Sequence, residues 1–125
     1  MLSDGTIKGL FASIDAMDAI KFASFLTEDG TFVYGTMMSV TGRSAVEEAV
    51  AGFFGTLSSL SHRDVRSWDG GDGETVFVGG EVTYVLPNEK MVEIPFMNKF
   101  IVRDGKISLY QVYTDPTTMI QAMQG

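Results

Sequence analysis

In residues 74–87, "ETVFVGGEVTYVLP", the side chains alternate with a period of two. Val76, Val78, Val82, Tyr84 and Leu86 fall on one face, and Phe77, Glu81 and Thr83 on the other. That alternation predicts a strand with one face against a core. The Gly79–Gly80 pair inside it predicts a strand bend, since glycine in a strand marks a bulge or a close backbone approach. Working downstream, "NE" at 88 and 89 is the tip of a hairpin, and "KMVEIPFMNKFIV" presents Val92, Ile94, Phe96, Asn98, Phe100 and Val102 together. "RDGK" holds an Asp-Gly pair, a strong short-range hairpin signal. "ISLYQVYTD" is then the last strand, and "PTTMIQAM" a short terminal helix opened by Asp115 and Pro116.

Upstream the period is helical. Ile7, Leu10, Phe11, Ile14 and Met17 form one apolar stripe, predicting a helix over 4–17. Asp18 is placed to cap a second helix, "AIKFASFL", stopped near "TEDG". "GTFVYG" follows as a short β-rich segment. "SAVEEAVAGFFGTL" is the clearest helix, with Ser44 and Glu47 in capping-box spacing and Val46, Val50, Phe53, Phe54 and Leu57 behind them. Helices followed by an antiparallel meander indicate an α+β fold: a curved, cone-shaped antiparallel sheet packed against three N-terminal helices. The open mouth of such a cone is a natural pocket.

Composition narrows the function. The 125 residues are expected to form one domain, 1–125, large enough to hold a core without metal or disulfide. Nine basic residues against sixteen acidic ones give a formal charge of −7, which repels nucleic acid and anionic lipid. The chain has no cysteine, so thiolate zinc sites and thiol nucleophiles are excluded, and its one histidine leaves little from which to build a metal site. No cofactor is expected. "MLSDGTIKG" lacks a basic region followed by an apolar run, and no apolar stretch approaches transmembrane length, so a cytoplasmic protein without membrane contact is the expectation.

Four stretches carry a resemblance: "IDAMDAIKFASFLTEDGTF", "TGRSAVEEAVAGFF", "LSHRDVRSWDG" and "RDGKISLYQVYTD". With them the chain resembles the SnoaL-like, ketosteroid-isomerase-like branch of the nuclear transport factor 2-like superfamily over nearly its whole length. One cone-shaped fold there hosts isomerases, cyclases, dehydratases, epoxide hydrolases and non-enzymatic modules, so function has to come from the site. The general-base aspartate of ketosteroid isomerase corresponds to Tyr34. The charged trio of limonene-epoxide hydrolase corresponds to Val82, Tyr84 and Val112, which cannot activate water in that way. Scytalone dehydratase matches better, through Asp15 late in the first helix, Tyr34 after the first strand and His62 opening the strand after the third helix. Ile14 stands where that enzyme has a tyrosine, and its second histidine has no counterpart. Asn98 stands for its pocket asparagine if the hairpin lengths differ.

The residues themselves leave alternatives open. Asp15 either pairs with His62, fixing one imidazole tautomer for acid–base work, or caps the second helix while His62 is structural. Asn98 interrupts an apolar face, so it meets a ligand or clamps water or backbone. Tyr34, Tyr84 and Tyr110 offer hydroxyls on large apolar rings, and Phe11, Phe96, Tyr84 and Asn98 are expected to line one pocket under the first helix. The resulting expectation is a pocket for a small, largely apolar carbonyl or phenolic molecule. An enzyme of this kind is a cofactor-free isomerase, cyclase or dehydratase with His62 as acid/base, Asp15 as its orienter, and Tyr34 or Asn98 donating to an oxyanion. The rival is a non-catalytic ligand-binding or protein-interaction module. Phe77, Met97, Ile101, Leu109 and Tyr113, on the sheet face away from the helices, further predict a homodimer.

Overall fold

The structure, a computed structural model, describes residues 2–124. Its elements run α1 (Asp4–Asp15), α2 (Ala19–Ala23), β1 (Leu26–Tyr34), β2 (Met38–Thr41) and α3 (Arg43–Phe54). Then come β3 (Ser59–Asp69), β4 (Thr75–Val85), β5 (Met91–Arg103), β6 (Lys106–Thr114) and α4 (Thr117–Gln124). The six strands form one sheet in the order β2-β1-β6-β5-β4-β3. Every neighbouring pair is antiparallel except β1 with β6, which run parallel. Among the described residues no helix is long and apolar enough to cross a membrane.

The period-two stretches behave as their patterns require. Val76, Val78, Val82 and Tyr84 of β4 and Ile94, Phe96, Asn98, Phe100 and Val102 of β5 are buried. The β5–β6 turn places both Asp104 (φ 53°) and Gly105 (φ 76°) in the left-handed region, the geometry a two-residue hairpin turn demands. Ile7, Leu10, Phe11 and Ile14 of α1 are buried as one stripe.

Three boundaries differ from the sequence reading. Helix α1 stops at Asp15 rather than 17: Asp18 N–H bonds to Ser13 O (2.9 Å) and Met17 N–H to Ile14 O (2.8 Å), a Schellman stop with Met17 at φ 53°. Asp18 does cap α2, accepting from Lys21 N at 3.0 Å. Yet α2 is only five residues long, and β1 starts at Leu26, well before "GTFVYG". The Ser44/Glu47 capping box does not form, because α3 starts two residues earlier and its N-cap is Gly42, which has no side chain to offer. Strand β2 went unread in the sequence; its four residues, half buried or exposed, carry no long alternation.

The sheet's curvature has a local cause. The β3–β4 register slips between Arg63 and Arg66, with Asp64 at φ 55°, which is a bulge in β3. Opposite it, a Cβ on Gly80 would lie 2.8 Å from Arg63 O and 3.1 Å from Asp64 O, and one on Gly79 would lie 2.6 Å from Met97 Cε. At Gly80 the atoms met are backbone and cannot give way, whereas at Gly79 the nearest is the flexible end of Met97. The bend lets the start of β3 curl under α1, so Leu60 and His62 face inward opposite Tyr84 and Val82.

Two glycine substitutions separate packing from backbone entropy. Gly80→Ala should lower stability by roughly 1–3 kcal/mol, because backbone rather than a flexible side chain must move. Gly52→Ala, in α3 with nothing within 4 Å of the new Cβ, should raise it by about 0.5–1 kcal/mol. Urea unfolding midpoints check both; an unchanged Gly80→Ala midpoint would rule out the close approach.

Candidate functional site

Residues of helices α1, α2, α3 and α4 and of the concave face of the sheet line a partly open cavity of about 170 Å³. Sheet residues Phe32, Tyr34, Tyr84, Phe96, Asn98 and Tyr110 form much of its wall. Val50, Phe53 and Phe54 of α3 cover it, and Met37, Met38 and Met119 also line it. None of the lining residues is Asp, Glu, Lys or Arg.

His62 is one wall of this space, and its position follows from the bulge and from Asp15. The His62 Nδ1 and Asp15 Oδ1 atoms are 2.6 Å apart, and the backbone N–H of His62 donates to Asp15 Oδ2 at 3.2 Å. One carboxylate therefore fixes both ring and backbone of one residue. Asp15 is the last residue of α1, where the helix dipole disfavours an anion, so the two donors from β3 offset a local cost. The imidazole is also held edge-on against Phe11 (centroids 4.9 Å apart) and Phe96 (5.2 Å).

The distance alone would fit an ion pair, but the charge state is set by solvation. Burial pushes the His62 pKa below its usual value, outweighing the raising effect of the Asp15 hydrogen bond and charge. The His62 side chain is 9% exposed, against 33% for Asp15, so the ring bears most of the desolvation. Near neutral pH the imidazole is uncharged, with Nδ1–H donating to Asp15. Nε2 then carries the lone pair and has no protein hydrogen-bond partner among the described residues.

Of the remaining polar side chains, Thr114 donates to Pro95 O at 2.9 Å and the others form two pairs. Tyr34 Oη and Tyr84 Oη are 3.3 Å apart, so one hydroxyl proton is shared and the other remains uncommitted. Burial raises the pKa of Tyr34, Tyr84 and Tyr110, keeping all three as O–H donors. Asn98, 2% exposed, donates from Nδ2 to Tyr110 Oη at 3.4 Å, and its Oδ1 has no partner. Asn98 therefore clamps no backbone; its Oδ1 is a free acceptor, and Nδ2 keeps a second N–H with no acceptor among the described residues.

Of the residues singled out in the sequence, His62, Tyr34, Tyr84, Phe96, Asn98 and Tyr110 come together on this cavity. Asp15 and Phe11 do not reach it. Both lie behind His62, on an outer groove between α1 and β3 that also includes Lys8, Arg66 and Trp68. Phe11 is displaced because the His62 and Phe96 rings pack against it on the cavity side. Sequence reasoning missed α3, β2 and α4 as sources of wall residues. Phe53 read simply as core, and Met119 lay in a short terminal helix with nothing to mark it as inward. Among the described residues no three His, Cys, Asp or Glu side chains cluster closely enough to hold a metal ion.

Because His62 is the only histidine, its ring signals in an NMR titration are unambiguous. The expected midpoint lies below the ordinary value of about 6.5. The stability contributed by neutral His62 is then complete above that unfolded-state value and is lost as pH falls through the lower folded value. Unfolding measured from pH 7.5 down to pH 5 should show that loss in wild type and not in His62→Gln. A midpoint above 6.5 would mean that the ion pair, not burial, sets the charge.

Several solved structures share the fold. One is a candidate polyketide cyclase from Xanthomonas campestris pv. campestris, 20% identical over 95% of this chain and 94% of that one, with a TM-score of 0.84. A nuclear transport factor 2-like protein of unknown function from Burkholderia pseudomallei is 12% identical over 97% and 96%, with a TM-score of 0.85. TerC, co-crystallised with polyporic acid, is 18% identical over 95% of each chain, with a TM-score of 0.81. At these identities the likeness is one of fold. By sequence, the chain matches no curated protein. The SnoaL-like domain model matches residues 7–110, from the buried stripe of α1 to the tyrosine beside Asn98, and the chain belongs to that family.

Proposed function

We propose that this chain binds a small, largely apolar carbonyl or phenolic molecule in its cavity and acts on it by cofactor-free acid–base chemistry, as an isomerase, cyclase or dehydratase. The observation that carries the reading is the state of His62. A neutral imidazole, tied at Nδ1 and with a free Nε2 lone pair, forms part of an uncharged apolar wall. In the proposed step a substrate C–H or O–H proton passes to Nε2, and the electron pair it leaves is held as an enolate or phenolate. Asp15 keeps the Nδ1 proton in place and stabilises the imidazolium formed. The uncommitted hydroxyl of the Tyr34–Tyr84 pair donates to the developing oxyanion. Return of the proton from Nε2 to another substrate atom completes an isomerisation or cyclisation; protonation of a leaving hydroxyl completes a dehydration. Such a base contributes on the order of 10²–10⁴-fold.

A second reading keeps the cavity and drops the chemistry. It is favoured by Tyr34, which by the family resemblance stands where the isomerase has its aspartate, and which is engaged with Tyr84 rather than with His62. On that reading the chain is a ligand-binding or interaction module.

Substitution distinguishes the two. Asp15→Asn and His62→Gln should each lower turnover of a converted substrate by at least about 100-fold while the far-ultraviolet circular dichroism stays native. Retained turnover in both variants would remove His62 from the chemistry.

The outer face of the sheet supports a further proposal, a homodimer. The pairings Trp68–Phe77 and Met97–Tyr113 lie on that face. Trp68, Met97 and Tyr113 are 49%, 38% and 50% exposed, an apolar surface that a second copy of the chain would cover. Light scattering at micromolar concentration should give twice 13.6 kDa; a mass of 13.6 kDa would count against the dimer.

A further inference from the structure

Asn98 Oδ1 is the one buried side-chain polar atom without a hydrogen-bond partner among the described residues. Leaving an amide oxygen dry and unpaired costs stability, and an apolar residue of similar shape would avoid the cost. The neighbours of Asn98 on the inner face of β5 are Phe96 and Phe100, so no local polar network accounts for it. One of its two amide N–H groups goes to Tyr110 Oη, and Asn98 is among the residues that line the cavity. The missing partner is therefore a donor, and the cavity is where a donor could arrive.

Size and charge narrow what that donor belongs to. The cavity of about 170 Å³ compares with the roughly 150 Å³ hole that accepts one benzene ring. Its walls are mainly apolar and carry no Lys or Arg, and burial keeps His62 uncharged near neutrality, so a carboxylate or phenolate entering there meets no standing counter-charge. We propose that the cavity selects a neutral, single-ring hydroxyarene, a phenol, whose O–H donates to Asn98 Oδ1. This rests on the cavity being a ligand site, as proposed above, and is independent of whether the ligand is then transformed.

The test is calorimetric titration of the wild-type protein with phenol, toluene, cyclohexanone and benzoate at pH 7. Phenol and toluene have nearly the same shape and differ in the O–H. Phenol should bind more tightly than toluene, and benzoate should show no binding. In Asn98→Leu the phenol-to-toluene ratio should shift toward toluene by at least about tenfold. With 4-nitrophenol, wild-type affinity should fall as pH rises through the ionisation of the phenol, while 4-nitrotoluene shows no such fall. The wild-type comparisons decide the matter even if Asn98→Leu does not fold. Toluene binding as tightly as phenol overturns the proposal and leaves the ligand site standing. Cyclohexanone preferred over phenol overturns it too, because the amide then presents its nitrogen. If none of the four binds, the ligand-site reading fails along with it.

Discussion

A Cβ at position 80 would sit 2.8 Å from the carbonyl oxygen of Arg63, so β3 can cross β4 as it does only over glycine. That contact bends β3 against β4, further register shifts interrupt the β1–β6 and β5–β6 ladders, and the curved sheet brings distant groups together. β1 and β4 are three strands apart, which in a flat sheet is roughly 14 Å at the usual strand spacing. Yet Tyr34 Oη and Tyr84 Oη lie 3.3 Å from each other. The same bend carries the start of β3 beneath α1, where His62 meets Asp15. A flatter sheet would lose both contacts.

The Asp15–His62 pair also divides two environments. Asp15 is one-third exposed on the outer groove, while the His62 ring is nearly sealed and forms part of the cavity wall. A carboxylate at a helix C-terminus is poorly placed for stability, since the dipole there repels it. Its compensation comes entirely from β3, through the ring and the backbone N–H of one residue. Solvation then sets the charge of the ring: its burial outweighs the attraction of Asp15 and keeps His62 neutral. The ion-pair geometry and the depressed histidine pKa are thus compatible.

How much of this could be read in advance depended on periodicity. β4 and β5 are long and strictly alternating, so their inward residues, Asn98 included, were legible. Helix ends were less so. Met17 fits the apolar stripe but sits in the left-handed conformation that stops α1, a place where glycine is the usual signal. The Ser44/Glu47 spacing mimicked a cap that Gly42 pre-empts. The pairing of Asp15 with His62 was open in the sequence, because a carboxylate 47 positions away in the chain can be placed only by the fold. Phe11 belongs to the apolar stripe of a helix that covers the sheet, which in the sequence points to the cavity. The missing information was that His62 comes between them, which depends on the depth of the bend rather than on any residue pattern.

The cavity's hydrogen-bonding inventory is nearly independent of pH, and this follows from the burial that shapes it. The lining contains four titratable side chains: Tyr34, Tyr84, Tyr110 and His62. Burial moves the tyrosines further above their ordinary value of about 10, so they remain donors throughout the working range. Asn98 does not titrate. Only His62 changes state near neutrality, and burial shifts that change to the acid side. Above it, the walls are uncharged and Nε2 is an acceptor. Below it, Nε2 becomes a donor, and a cavity without acidic lining residues gains a positive charge whose only compensation lies behind the ring, at Asp15. The burial that makes the pocket apolar thus leaves its charge under the control of one residue.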